Sequence, residues 1–216
     1  MSKLYTEFLD DNRLNIWKRL FAYKDIGILA GGTALAMQIN HRISYDFDIF
    51  CKKRVPKTLL ENFVMDFSTY SVKPMVDNFD ELTIEVSDIK VTFLYYPFSK
   101  IHSEIVVPTG FGLNVHHIND ISADKAYAIG RRGAWRDYFD IYSILKHGGM
   151  SLDNIVSLAE KKYKNVFSSK IFLSQLVYFD DINDLSIDFG SNQIVVANET
   201  VKAYLKTEVD LYLSSL

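Results

Sequence analysis

Cysteine is nearly absent: Cys51 stands alone among 216 residues. One thiol cannot close an internal disulfide, and no Cys or His cluster surrounds it to form a zinc site, so a reducing compartment is expected, with the cytoplasm as default. Long apolar runs are missing as well. Nowhere do eighteen apolar residues follow one another, and the opening MSKLYTEFLDDNRLNIWKRL is amphipathic without an uninterrupted hydrophobic stretch. This predicts neither a membrane span nor an export signal. Nor is there an excess of one charge. With 24 Lys and Arg against 27 Asp and Glu, a net charge of −3 argues against indiscriminate binding of nucleic acid over the whole surface, although not against a local basic patch. A Gly-x-Ser-x-Gly elbow, a Walker loop and a CxxC pair are all lacking, so acyl hydrolysis, P-loop hydrolysis and thiol redox chemistry have no support.

What is present is a globular composition, 48% hydrophobic and 14% aromatic, enough to bury a sizeable core in one domain or a domain with an appendage. Leu4, Phe8, Leu14, Trp17, Leu20 and Phe21 recur at roughly helical spacing and predict an opening amphipathic helix. Asp25 to Ala30 reads as a short buried strand ended by Gly31 and Gly32, and Thr33 to Asn40 carries good helix formers. Tyr45 to Cys51 alternates, with Tyr45, Phe47 and Ile49 on one face and Asp46 and Asp48 on the other. A helix near Thr58 to Phe67 then leads into strand-like runs around Tyr70 to Val76, Glu81 to Val86 and Lys90 to Tyr96, a mostly antiparallel continuation of the sheet.

From Ile118 the pattern turns helical, over Asp120 to Arg131, Trp135 to His147, Ser151 to Tyr163 and Ser168 to Phe179. Gly148 and Gly149 make a natural stop, and Ser151 a natural restart. Asp180 to Asn192 reads as a loop with a short strand, before a last helix near Thr200 to Leu213. The expected fold class is α+β, with an α/β core over residues 1–118 and a mainly helical domain over 119–216 that contributes to the active site.

The chemistry concentrates in Leu29 to Phe50, LAGGTALAMQINHRISYDFDIF. Glycines at a helix N-terminus let backbone N–H groups approach a phosphate, and the positive end of the helix dipole favours the anion. Thr33 can add a hydroxyl. Asp46 and Asp48, at i and i+2 on a strand, supply hard oxygen ligands to Mg²⁺, which accepts a few carboxylates together with water and substrate phosphates. Two such metals would activate an attacking hydroxyl and steady a leaving pyrophosphate. Lys125 on a helix is a candidate point cation for triphosphate. Arg136, Asp137 and Asp140 admit a structural reading, in which Asp137 complements the helix dipole and Arg136 pairs with Asp140. Arg131, Arg132 and Arg136 together suggest an anionic substrate. His41 is a further phosphate candidate, whereas adjacent His116 and His117 point apart and make a poor metal pair.

A Gly-Gly turn followed by an Asp-x-Asp strand resembles the polymerase-β-like nucleotidyltransferases. The fuller pattern, GGTALAMQINHRISYDFDIF, then VTFLYYP, then DISADKAYAIGRRGAWRDYFDIYSILK, is similar to the AbiEii/AbiGii toxin branch over residues 25–147. The resemblance implies a mixed sheet flanked by helices. It places Gly31, Gly32 and Thr33 at the triphosphate of an NTP, with Arg42 and Ser44 beside them. Asp46 and Asp48 would bind Mg²⁺ or Mn²⁺, and Lys125, Asp137 and Asp140 would complete the site. It also implies a toxin of a toxin–antitoxin or abortive-infection system, with an RNA acceptor such as the 3′ end of tRNA and a cognate antitoxin as partner.

One position departs from the pattern. Where the family carries an acid on the later strand this chain has Thr92, and that third carboxylate commonly ligates metal or serves as base. Glu85 or Asp88 would have to substitute, or one metal would serve. The departure leaves open a nucleotide- or antitoxin-binding protein without turnover; an aminoglycoside-type small-molecule transferase shares the same glycine and Asp-x-Asp logic.

Overall fold

The computed structural model describes residues 4–190 and 194–216. The chain forms two compact units: one runs to Gln38 and adds Ser44–Ser99 and Ser103–His117, and the other comprises Ile39–Ile43, Lys100–His102 and the chain from Ile118 onward. The architecture is α+β, as the alternating and helical periodicities indicated.

In the first unit, helix α1 (Asp11–Arg19) starts later than the apolar spacing suggested. The Asp10 carboxylate accepts from Arg13 N at 2.8 Å and so caps the helix there, while a 3-10 turn over Leu20–Tyr23 extends it. Strand β1 (Gly27–Ala30) runs straight into α2 (Gly31–Ile39), and β2 (Phe47–Cys51), α3 (Leu59–Asp66), β3 (Val72–Asp77), β4 (Glu81–Val86) and β5 (Ile89–Tyr95) follow. The strands form one sheet in the order β1-β2-β5-β4-β3. β2 and β5 are parallel and the other neighbours antiparallel, so the sheet is mixed. The expected antiparallel continuation holds for β3, β4 and β5.

Alternation along β2 decides which face is the core. Phe47, Ile49 and Cys51 are buried, whereas Asp48 and Phe50 are half-exposed on the opposite face. Behind the buried face Tyr23, Phe63, Phe67 and Phe93 form an aromatic cluster, with centroids 4.2 Å apart for Phe63 and Phe67 and 5.5 Å for Tyr23 and Phe93. Each buried ring contributes about 1.5–3 kcal/mol through removal of its surface from water. The outer edge of β1 is covered, because Leu29 N donates to Asn114 O at 2.9 Å and His116 N to Leu29 O at 2.8 Å. On the other edge, β3 carries Pro74, a residue tolerated where no ladder partner is needed.

The second unit is helical: α4 (Ile118–Ile129), α5 (Trp135–His147), α6 (Leu152–Tyr163), α7 (Ser169–Leu176) and α8 (Asn198–Ser214). The glycine stop is real, with Gly149 at φ 68°, and Ser151 restarts the chain through a reciprocal capping box with Asn154. Lys162 of α6 is buried between Asp120 at 2.9 Å and Asp124 at 2.6 Å on α4, and Asp120 also accepts the backbone N–H groups of Ile101 and His102, both at 2.9 Å. Every oxygen of Asp120 is thereby engaged, as a buried carboxylate requires. The loop after α7 is turn-rich, with Asp184 and Asp188 accepting from backbone N–H groups two residues on. The short strand expected there does not form over residues 180–190; positions 191–192 lie outside the described residues. Among the described residues no helix is long and apolar enough to cross a membrane.

Candidate active site

Gly31 follows β1 at φ 66°, in the left-handed region that a side chain resists. A Cβ there would land on Asp48 Oδ2. The glycine is therefore required twice, by its own conformation and by the carboxylate packed against it. Gly32 and Thr33 are buried in the first turn of α2. Thr33 Oγ1 donates to Asp46 O and lies 2.8 Å from Ser44 Oγ. Thr33 and Ser44 are 1% and 7% exposed, so their hydroxyls tie the glycine turn to the segment entering β2. These hydrogen bonds position the segment that leads into β2. Asp46 is half-exposed, with Oδ1 3.4 Å from Lys90 N, and Asp48 is half-exposed on the open face of β2.

We expect Gly31→Ala to cut nucleotide-dependent activity by about 10²-fold, the size of loss that an approximately 1 Å displacement of a catalytic group produces. Steady-state kinetics beside a melting curve checks this. Unchanged activity would mean that the Gly31–Asp48 contact does not hold the carboxylate.

The register puts Thr92 directly beside Asp48 on the parallel neighbour β5. That is where a third carboxylate was expected. Thr92 Oγ1 lies 3.2 Å from Thr83 Oγ1, and Thr83 Oγ1 donates to Glu81 Oε1 at 2.7 Å. A hydrogen-bonded chain thus leads from Thr92 across β4 to Glu81. Glu81 was missed by sequence reasoning, which looked to Glu85 and Asp88; only the cross-strand register reveals it. Glu85 instead lies 4.0 Å from Lys73 Nζ, and Asp88 sits in the β4–β5 turn at φ 68°.

The second unit holds a buried charge cluster. Asp140 is fully buried and receives Arg42 through Nε at 2.7 Å and Nη2 at 3.1 Å, His41 Nε2 at 2.7 Å and Lys125 Nζ at 2.6 Å. Lys125 also reaches Asp137 at 2.7 Å, and Arg132 Nε donates to Asp137 at 2.8 Å. This geometry corrects one sequence expectation, the pairing of Arg136 with Asp140, and gives the neighbouring residues structural partners. Arg42 and His41, assigned to phosphate, are engaged by Asp140. Arg136 is exposed, and Asp140 pairs with Arg42 and Lys125 instead. Arg131 lies over the Tyr127 ring at 3.6 Å and donates to Val166 O, so it and Arg132 are structural as well as basic. Spacing alone could not show that a segment before β2 folds into the helical unit.

Burial works against every charge here, and the neighbours decide the outcome. Burial would raise Asp140, but Arg42 and Lys125 outweigh it and hold the carboxyl well below its ordinary range. Burial would likewise raise Asp137, and Lys125 and Arg132 bring it down. Lys125 would be lowered by burial, yet Asp137 and Asp140 keep it above the usual range and charged. For His41 burial wins over Asp140 and the pKa falls. A neutral ring also suits its Nδ1, which is buried without a hydrogen-bond partner and would be a stranded donor if protonated.

A two-stage acid response follows. His41 is lowered on folding, so below about 6.5 the unfolded chain takes up a proton that the folded chain refuses, and stability falls. Asp137 and Asp140 are lowered too, and their contribution is lost as pH drops below about 3.9 toward their folded values. Melting temperature against pH should show both legs, and His41→Gln should flatten the first. An unchanged slope in the variant would contradict the assignment.

A family model described as "Nucleotidyl transferase AbiEii toxin, Type IV TA system" matches residues 16–194. The chain belongs to the AbiEii nucleotidyltransferase toxin family. The uncharacterized protein aq_aa25 of Aquifex aeolicus (strain VF5) is 28% identical over 197 residues, covering 87% of this chain and 88% of that one. The nucleotidyltransferase toxin MenT4 of Mycobacterium tuberculosis H37Rv has a similar structure, with a TM-score of 0.62, 15% identity, and coverage of 94% of this chain and 82% of that one. An H. pylori crystal structure provisionally described as a nucleotidyltransferase matches with a TM-score of 0.55 and 19% identity, over 94% of this chain and 95% of that one. At those identities the two structures share the fold.

Nucleotidyltransferases of this kind use an NTP and a divalent metal, and the AbiEii chain has donors that suit one. Among the described residues no group of three or more His, Cys, Asp or Glu side chains could hold a metal. To hold a metal, Asp46 and Asp48 would need oxygens from elsewhere. Mg²⁺ fits such a set, because it takes one or two carboxylates and completes its octahedron with water and substrate phosphates.

Proposed function

We propose that this AbiEii-family chain transfers a nucleotide from an NTP to the 3′ end of an RNA acceptor, tRNA foremost, in a Mg²⁺-dependent reaction, and acts as a cytoplasmic toxin held in check by a cognate antitoxin. The observation that carries the reading is the packing of Gly31 on Asp48: a turn at a helix N-terminus, suited to phosphate, touches a carboxylate suited to the metal that phosphates bring. Asp46 and Asp48 would hold the metal, which supplies charge neutralisation at the reacting phosphate. Gly31 and Gly32 present backbone N–H groups to the triphosphate, and Thr33 with Ser44 keeps Asp46 in place. Lys125 belongs to the second unit, where Asp137 and Asp140 keep it ionised. The acceptor hydroxyl attacks the α-phosphorus and pyrophosphate leaves.

The test is incubation of the protein with each labelled NTP, Mg²⁺ and total tRNA. Label at the tRNA 3′ end is expected; no label with any NTP, or equal label from Asp46→Ala/Asp48→Ala, overturns the proposal. Resistance to an aminoglycoside on expression, in place of growth arrest, would move the acceptor to a small molecule.

The Asp48–Thr92 register favours a slow enzyme as a second feature of this reading. Thr92→Asp supplies the missing carboxylate and is expected to raise the transfer rate by about 10²-fold, at the lower end of what a positioned base contributes. No gain in single-turnover rate would show that Thr92 is not the deficient position.

A further inference from the structure

The open face of β2 does not end at the carboxylates. Strand alternation puts Phe50 two residues beyond Asp48 on the same face, and pairing of Asp48 with Thr92 and Phe50 with Leu94 carries that face across to Thr92, Leu94 and Tyr96. Tyr96 N donates to Cys51 O at 2.8 Å, prolonging the ladder past β5. The Phe50 and Tyr96 rings stack with centroids 4.0 Å apart and planes inclined by 24°. Phe98 meets Tyr96 edge-on at 5.3 Å, and His116 meets Phe50 edge-on at 5.8 Å. All four rings belong to the first unit.

This stack is not core. The core side of β2 is Phe47, Ile49 and Cys51, whereas Phe50 and Tyr96 are half-exposed on the side that carries Asp48. Beyond them the chain turns strongly basic. Lys52, Lys53, Arg54 and Lys57 are all exposed, within a chain whose net charge is −3. Arg54 is partly offset by Asp80 at 3.3 Å, and Lys57 lies over the exposed Phe79 ring at 5.4 Å. Read along the strand, the order is metal-type carboxylate, aromatic stack, then cations beside another exposed ring. Stacking surfaces combined with a basic track are how single-stranded nucleic acid is held.

Direction identifies which substrate lies there. β1 and β2 are antiparallel, with Ala30 opposite Asp48 and Ile28 opposite Phe50. The Gly31 turn therefore lies toward the start of β2, and Phe50 lies on the far side of Asp48 from it, about 6.6 Å along the strand. Attacking and leaving oxygens stand in line across the transferred phosphorus. A triphosphate at the glycine turn thus leaves the acceptor on the Phe50 side.

We propose that Phe50 and Tyr96 form a stacking platform for the 3′-terminal nucleobase of a nucleic-acid acceptor, with Lys52 and Lys53 receiving the phosphates behind it. The proposal rests on the reading of Asp46 and Asp48 as the metal site, and it makes the acceptor's end a nucleoside. Because the platform grips a π-face, it tolerates any terminal base.

The test uses the full chain and a short RNA ending in 2-aminopurine, without divalent metal, so that binding is read apart from transfer. Wild type is expected to quench the terminal fluorophore. Phe50→Ala should lose the quench and weaken RNA affinity by about 5- to 150-fold, the range for removing one stacking side chain, while affinity for each NTP with Mg²⁺ is unchanged. Phe50→Tyr should behave as wild type. Phe50→Leu, which keeps apolar bulk without a ring, should follow alanine and serves if alanine unfolds. Lys52→Ala with Lys53→Ala should reduce the salt slope of binding by about 0.7 per lysine. The proposal is overturned if wild type binds the RNA without quenching or does not bind it. Quenching that survives in Phe50→Leu also overturns it, as does a loss that falls on NTP affinity instead. Quenching by wild type without label transfer in the presence of NTP and Mg²⁺ would leave the platform standing and overturn the enzyme reading.

Discussion

Replacing Asp46 and Asp48 together by alanine is expected to lower nucleotide transfer by about 10³-fold or more, because a bound metal contributes several kcal/mol of charge stabilisation at the reacting phosphate and each 1.36 kcal/mol is tenfold in rate. The same change should leave folding nearly untouched. Both side chains are half-exposed, and substitutions at partly exposed positions shift stability far less than those in buried networks. Transfer kinetics and thermal unfolding on one preparation separate the two effects: activity lost with the fold intact is the expected pattern, and unfolding in step with inactivation would make the carboxylates structural.

Asp140→Asn is expected to have the opposite profile, with a large cost in stability. The carboxylate is fully buried and answers Arg42, Lys125 and His41 at once. Removing its charge leaves two buried cations facing a neutral amide, and breaking a buried pair in this way costs about 3–5 kcal/mol. For a chain of this length that corresponds to a fall in melting temperature of roughly 6–20 °C. Arg42→Met with Asp140→Leu, which removes charge from both sides, should recover much of the loss, since apolar replacement of a whole buried pair is often neutral. A single Asp140→Asn variant that melts within about a degree of wild type would show that the cluster is solvated and the buried pairing wrong.

These two carboxylate groups also show what the sequence could and could not convey. The alternation was enough to put Asp48 opposite the buried Phe47, Ile49 and Cys51, because a strand has period two and the apolar residues declare the other face; it overshot at Tyr45, which is exposed, and at Asp46, because the strand begins only at Phe47. The Ser151 restart was equally legible, since a capping box is local chemistry. The start of α1 was not, because apolar spacing continues through Leu4 and Phe8 while a single side chain, Asp10, ends the competition. Long-range pairing was invisible for a stronger reason. Thr92 opposite Asp48 and the parallel joining of β2 to β5 depend on register between strands far apart in sequence, and the Thr92–Thr83–Glu81 chain depends on the register of the β4–β5 hairpin. Arg42 and His41 stand next to the Asp-x-Asp strand in sequence, yet the fold sends that segment into the helical unit, where Asp140 engages both, a partner that spacing does not reveal. Phe50 was quoted within the motif as part of a strand and given no role of its own, and the 4.0 Å stack with Tyr96 gives it one.

The central claim is that Asp46 and Asp48 hold a divalent ion on the triphosphate received by the Gly31 turn. Electron paramagnetic resonance of Mn²⁺, titrated into the protein with a non-hydrolysable NTP analogue, measures this most directly. A ternary complex is predicted for wild type, with bound Mn²⁺ that depends on the analogue and is lost in Asp46→Ala/Asp48→Ala. Equal Mn²⁺ and analogue binding by that variant would contradict the account.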